Sequence, residues 1–85
     1  MARIQTKELL SRVYEGDFTV IKLKGLQDGS FYLLLETVNG SFILENADGS
    51  MKQYPRVDYA LSWLKRVTNT NEVVVDIEIW RSDDR

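Results

Sequence analysis

The chain has 85 residues, 11 basic against 13 acidic side chains, no His and no Cys. That length holds one domain, near the lower limit at which a core supports itself. Without thiol or imidazole there is no disulfide framework, thiolate metal site, Ser-His-Asp triad or His pH switch, while 44% hydrophobic and 28% charged residues make a globular composition.

Thr6 to Glu15 reads as a short helix, with Thr6 as its cap, Glu8 in the first turn and Leu9, Leu10, Val13 and Tyr14 at helical spacing. Gly16 supplies the left-handed stop. Phe18 to Lys24 is a strand with Ile21 and Leu23 on one face and Val20, Lys22 and Lys24 on the other. After a Gln27-Asp28-Gly29-Ser30 turn, Phe31 to Val38 forms a second strand, apolar on both faces as far as Leu35. Asn39-Gly40 predicts a type I′ hairpin into a strand over 41–46. Ala47-Asp48-Gly49-Ser50 turns the chain again, and 51–54 makes a short strand that Pro55 ends.

The helix over 56–67 repeats Val57, Ala60, Leu61, Leu64 and Val67 at helical intervals. Thr68 to Asn71 links it to a final strand over 72–80. There Val73, Val75, Ile77 and Ile79 face inward, and Val74, Asp76, Glu78 and Trp80 face out.

The elements therefore run α-β-β-β-β-α-β. They predict a single α+β domain: one antiparallel five-stranded sheet of order 5-1-2-3-4, one long helix packed across it, and a short N-terminal helix over 6–15. Sheet and long helix occupy 17–80, and the polar tail 81–85 is expected to fray. The sheet face away from the long helix carries either Tyr32 and Leu34 or Phe31, Leu33 and Leu35. It calls for cover by the first helix or by a second subunit. No apolar run is long enough for a membrane span, and Met1 to Gln5 shows no secretory pattern. The expected location is the cytoplasm, with no membrane contact.

Chemistry has few candidates. Asp76 and Glu78, two apart on a strand, point one way, but a divalent cation needs more oxygen ligands than two carboxylates supply. A charged strand face that keeps an edge from pairing is the plainer reading. The two Asp-Gly-Ser turns lack the alternating donors of a calcium loop, and no glycine-rich phosphate loop is present. No catalytic residue, metal or cofactor is expected. For nucleic acid, Lys22, Lys24, Lys65 and Arg66 are the candidate phosphate contacts. The net charge of −2 and an isoelectric point near 5.0 oppose them. Trp80 closes the final strand on its polar face beside Arg81, and Trp and Arg are common interface anchors.

Lys52 to Val67, with Tyr54-Pro55 ahead of Asp58-Tyr59-Ala60-Leu61-Ser62-Trp63-Leu64-Lys65-Arg66, is followed by Glu72 to Ile77. Together they resemble a pattern of small plasmid and phage proteins: a β-meander, an aromatic, a helix of the form DxAxxWLxR and a strand containing VDI. Some of these are partition-associated or plasmid-stability accessory proteins. The likeness spans about residues 31–80, but Pro55-Arg56 stands where that pattern has a capping Ser or Thr. The resemblance implies a mobile-element accessory protein that acts by binding and transfers no catalytic residue.

The expectation is accordingly a non-enzymatic binding module, a homodimer through the apolar sheet face or an edge strand. It docks on a protein partner through Val74, Asp76, Glu78, Trp80 and Arg81, with inhibition of a host defence or maintenance complex as one form of that docking. The alternative is a DNA- or RNA-binding partition or stability accessory protein using Lys22, Lys24, Lys65 and Arg66.

Overall fold

The structure, a computed structural model, describes residues 2–16 and 20–81, with 13–15 described in backbone only. Phe18 and Thr19 at the head of the first expected strand, the side chains of Val13 and Tyr14, and the tail over 82–85 lie outside the described residues. In chain order the elements are β1 (Ala2–Ile4), α1 (Thr6–Glu15), β2 (Val20–Gly25), β3 (Phe31–Thr37), β4 (Gly40–Leu44), β5 (Gln53–Tyr54), α2 (Val57–Trp63) and β6 (Val74–Asp76). A π-helical turn, Leu64–Thr68, continues α2.

The class is α+β as expected, but the sheet is mixed rather than antiparallel. Its order is β1-β4-β3-β2-β6, with β5 paired to β3. The cause lies between β4 and β5. Residues 45–51 form a small hairpin of their own, closed by the Glu45–Met51 bridge and by Asn46 N–H donating to Ser50 O at 2.7 Å. The chain then returns to β3, so β4 and β5 both run antiparallel to β3, one along each half of it. The 51–54 segment thus continues the line of β4 instead of reversing beside it. β5 consequently enters α2 in the same direction as β2, and the helical crossover delivers β6 parallel to β2. The short N-terminal helix is present as α1, while the long helix expected over 56–67 is a seven-residue α2 prolonged by the π-helical turn. β1, too short to carry a pattern of its own, adds a further parallel pair against β4.

Register divides the sheet into two faces. Ile4, Leu44, Leu35, Leu33, Phe31, Ile21, Leu23 and Tyr54 face both helices and join Leu9, Ala60 and Leu64 in one buried cluster. The helices lie on the same side, with α1 against the π-helical turn. The opposite face carries Tyr32 and Leu34, and no described element covers it. Leu34 is nevertheless only 7% exposed. Its register neighbours are Lys22 and Ile43, and the lysine stem shields apolar surface while its charge reaches solvent.

Three local readings change. The β3–β4 turn holds Val38-Asn39, because Thr37 pairs with Gly40, and neither turn residue has positive φ. The expected Asn39-Gly40 turn would set Phe42 against Thr37. The observed register sets Phe42 against Leu35 and Ile43 against Leu34, and apolar cross-strand pairs favour it. At the first helix, Leu9 N–H donates to Gln5 O, so Gln5 rather than Thr6 holds the cap position. In the second, Leu61 of α2 is exposed, and the wide π-helical turn buries Leu64 and Thr68 and leaves Val67 exposed. Thr68 satisfies its hydroxyl by donating to Leu64 O at 2.6 Å, and Asn69 stops the helix at φ 54°.

Candidate interaction site

Beyond Asp76 the alternating pattern fails, and this failure builds the site. Asp76 Oδ1 accepts the Glu78 N–H at 2.9 Å, and Trp80 N–H donates to Ile77 O at 3.2 Å. The side-chain acceptor bends the chain out of the strand. Trp80 therefore turns to the helix side, not outward with Asp76 and Glu78 as strand periodicity predicts. Its ring stacks on Phe31 at 5.7 Å between centroids, and its Nε1 donates to Gly29 O at 3.0 Å. It lies directly over Gly25, where a Cβ would meet Trp80 Cβ at 2.4 Å. Gly25 faces Phe31 across the β2–β3 ladder, so a strand glycine makes room for the indole. Arg81 is exposed and its N–H donates to Leu26 O at 3.3 Å.

The same bend pushes Ile77 and Ile79, expected to face inward, into solvent at 56% and 53% exposure. Ile77 and Val75 form one wall of a groove of about 420 Å³; Pro55 and Val57 are on the other, and Phe31 and Trp80 also line it. Arg56 and Asp58 stand at the groove as an ion pair of 3.0 Å, and the Arg56 guanidinium lies over Tyr59. Of the residues named from the sequence, Trp80 contributes to this groove, but as a packed lining residue and not as an exposed anchor. Periodicity placed Ile77 and Ile79 inward, since the run from Val73 to Trp80 alternates without a break, and it counted Val57 only as a core-facing helix position. The detectable signal was Asp76 two residues before Glu78, the spacing of a side-chain-to-backbone turn.

Val74 and Asp76 lie on the uncovered sheet face. Asp76 Oδ2 accepts from Lys24 Nζ at 2.8 Å, and this bond, with the Glu78 N–H, holds the carboxyl below its ordinary range. The same bond holds the Lys24 amine above its own. Lys22 pairs with Glu36 at 3.2 Å. The expected Asp76–Glu78 pair on one strand face is not formed, because Glu78 sits in the bend past the strand. Among the described residues no three acidic side chains converge as metal ligands would.

The four basic residues do not form one patch. Lys22 and Lys24 lie on the uncovered face, each paired with a carboxylate. Lys65 and Arg66 belong to the π-helical turn, which packs on the other face, and Lys65 donates to Asn71 Oδ1 at 2.6 Å. A labelled oligonucleotide titrated at low ionic strength is expected to show no complex with the steep salt dependence of phosphate contacts.

The two Asp-Gly-Ser turns are copies of one device. Ser30 N–H and Oγ–H donate to Asp28 Oδ1 at 2.9 and 2.6 Å, and Ser50 does the same to Asp48 at 3.0 and 2.6 Å. Those bonds hold both carboxyls below their usual range. Each turn's glycine carbonyl is met from a distant element, Gly29 by Trp80 and Gly49 by Arg3 Nη1 at 2.8 Å. These acids close turns.

No helix among the described residues is long and apolar enough to cross a membrane. No family model, curated protein or solved structure matches the chain.

Proposed function

We propose that this is a non-catalytic, self-associating binding module that docks on a protein partner through the groove between α2 and the C-terminal bend. The observation that carries this reading is the exposure of Ile77 and Ile79, 56% and 53%, beside an apolar groove. Two large aliphatic side chains at a bend gain nothing for the folded monomer, and clustered apolar exposure of this kind marks interaction surfaces. Phe31 and Trp80 give the groove a rigid aromatic lining, while Arg56 and Asp58 offer charge of both signs beside it. Such an arrangement suits a protein segment with an apolar anchor and a polar flank. The absence of His and Cys from the sequence narrows chemistry to weaker side-chain catalysts and favours action by surface complementarity. The resemblance over 31–80 supplies the setting: an accessory protein of a plasmid or phage, acting in the cytoplasm of its host, with inhibition of a defence or maintenance complex as one form of its action.

Ile79→Arg tests the docking reading. Captured partner, recovered from host lysate on immobilised protein, is expected to fall at least tenfold, about 1.4 kcal/mol or more, with thermal stability unchanged. Equal capture by the variant would remove the exposed C-terminal bend from the binding surface.

A further inference from the structure

We infer that the second copy binds along the free edge of β6, in antiparallel register centred on Val75, so that two sheets continue through one two-fold axis. This rests on the self-association proposed above and assigns its surface. β6 is the last strand of the sheet order, and among the described residues it pairs on one side only, with β2. Natural edge strands are blunted by lysine, proline, a bulge or shortness; of these β6 has shortness, three residues over Val74–Asp76. The run Val73-Val74-Val75-Asp76-Ile77 has no lysine or proline, and its single charge is already engaged by Lys24. Val74 and Val75 are both exposed.

The uncovered sheet face is the weaker alternative, because Lys22, Glu36, Lys24 and Asp76 lace it with ion pairs and Leu34 there is already shielded.

The sequence of the edge selects its own partner. An isologous two-fold contact sets each residue against its mirror about the centre. Centred on Val75, the helix-side positions pair Val75 with Val75 and Val73 with Ile77, all apolar. On the open side Asp76 meets Val74 and keeps its bond to Lys24. Centred on Asp76, two carboxylates stand directly opposed; centred on Val74, Asp76 meets Glu72. Like charges directly across an antiparallel pair are destabilising. Registers centred on a peptide bond set helix-side residues against open-side ones and bring Asp76 against Val73 or Val75. Among registers that pair residues of one face, the Val75-centred one alone opposes no like charges, and the ladder ends where the Ile77–Trp80 turn begins. It leaves Ile79 outside the contact and the groove open at its α2 side.

Because the chain has no Cys, engineered thiols report the contact without background. Wild-type protein is run by sedimentation equilibrium, and Val75→Cys, Val74→Cys and Val38→Cys are oxidised in parallel. Val38 lies in the β3–β4 turn at 83% exposure and sets the rate of random collision. The expected result is a wild-type dimer, with Val75→Cys forming covalent dimer roughly tenfold or more faster than Val38→Cys, because directly opposed strand residues approach disulfide distance. Val74→Cys, facing Asp76 of the other copy, stays at the Val38→Cys rate. A dimer in which Val75→Cys oxidises no faster than Val38→Cys overturns the edge assignment while leaving self-association intact. Equal acceleration of Val74→Cys and Val75→Cys overturns the register. A monomer at every concentration, including one that takes an extended peptide on this edge, overturns both self-association and the pairing.

Discussion

Trp80→Ala is expected to destabilise the fold by about 3 kcal/mol, near the low end for removing a large buried aromatic because the indole is only partly enclosed. The variant gives up the stack on Phe31, the Nε1 bond to Gly29 O and the cover over Gly25. A urea titration reads the loss as a lower midpoint at unchanged slope. Gly25→Ala attacks the same contact from below, since its Cβ would sit 2.4 Å from Trp80 Cβ and 2.7 Å from Cγ. Neither partner can yield cheaply, as the glycine lies in a paired strand and the indole is held at both ends. Once the indole is gone the C-terminal segment is free to shift, so Gly25→Ala should cost much less in the Trp80→Ala background. Contacting residues show this non-additivity at about 0.5–3 kcal/mol. Additive losses, or a Trp80→Ala protein as stable as wild type, would mean that Trp80 does not clasp the β2–β3 hairpin.

That result separates what periodicity can and cannot deliver. The Ile21/Leu23 and Phe31/Leu33/Leu35 alternations were legible because each residue reports its own face when the strand is long enough. Ala60 and Leu64 were legible for the same reason at helical spacing. The reading failed where a single local bond overrides the period. Val73 to Trp80 alternates without interruption, yet Asp76 Oδ1 takes the Glu78 N–H and everything after it changes side. Val67 failed likewise: the π-helical turn rotates Thr68 into the core, and no apolar count anticipates a buried threonine that bonds to its own helix.

Sheet direction was hidden for another reason. Whether 45–51 forms an excursion or a true reversal depends on the long-range pairing of Gln53 and Tyr54 with Tyr32 and Phe31. Both outcomes have the same turn residues. β1 was invisible because three residues carry no period; it exists through Ile4, 2% exposed, beside Leu44. The candidate site inherits both failures. Its groove needs the crossover that brings α2 beside β6 and the bend that lifts Ile77 and Ile79 clear, so only Trp80 among its lining residues was singled out from the sequence.

Tyr54→Phe is expected to flatten the protein's loss of stability between pH 10 and pH 12. The Tyr54 hydroxyl is buried without a hydrogen-bond partner among the described residues, and burial pushes the phenol up to about 12, against about 10 in an unfolded chain. The ring itself is well placed, tilted against Trp63 at 6.5 Å with Lys52 Nζ over it, so phenylalanine keeps the packing. Below pH 10 the phenol is protonated in folded and unfolded chains alike, and its contribution is constant. Above pH 10 the unfolded chain releases the proton while the folded chain retains it. Stability then falls with rising pH by up to about 1.4 kcal/mol per unit, levelling once the folded phenol also ionises, a total on the order of 2 kcal/mol. The Lys24 amine, held up by Asp76, also loses its contribution on the alkaline side, but it does so in both proteins. The difference between the two curves therefore isolates Tyr54. At neutral pH the variant should equal wild type or exceed it by up to about 1 kcal/mol, because a hydroxyl desolvated without a partner opposes folding. Parallel curves through pH 12 would show that the hydroxyl finds a partner or water in solution, and a Tyr54→Phe protein less stable at pH 7 would require that partner to be a hydrogen bond worth keeping.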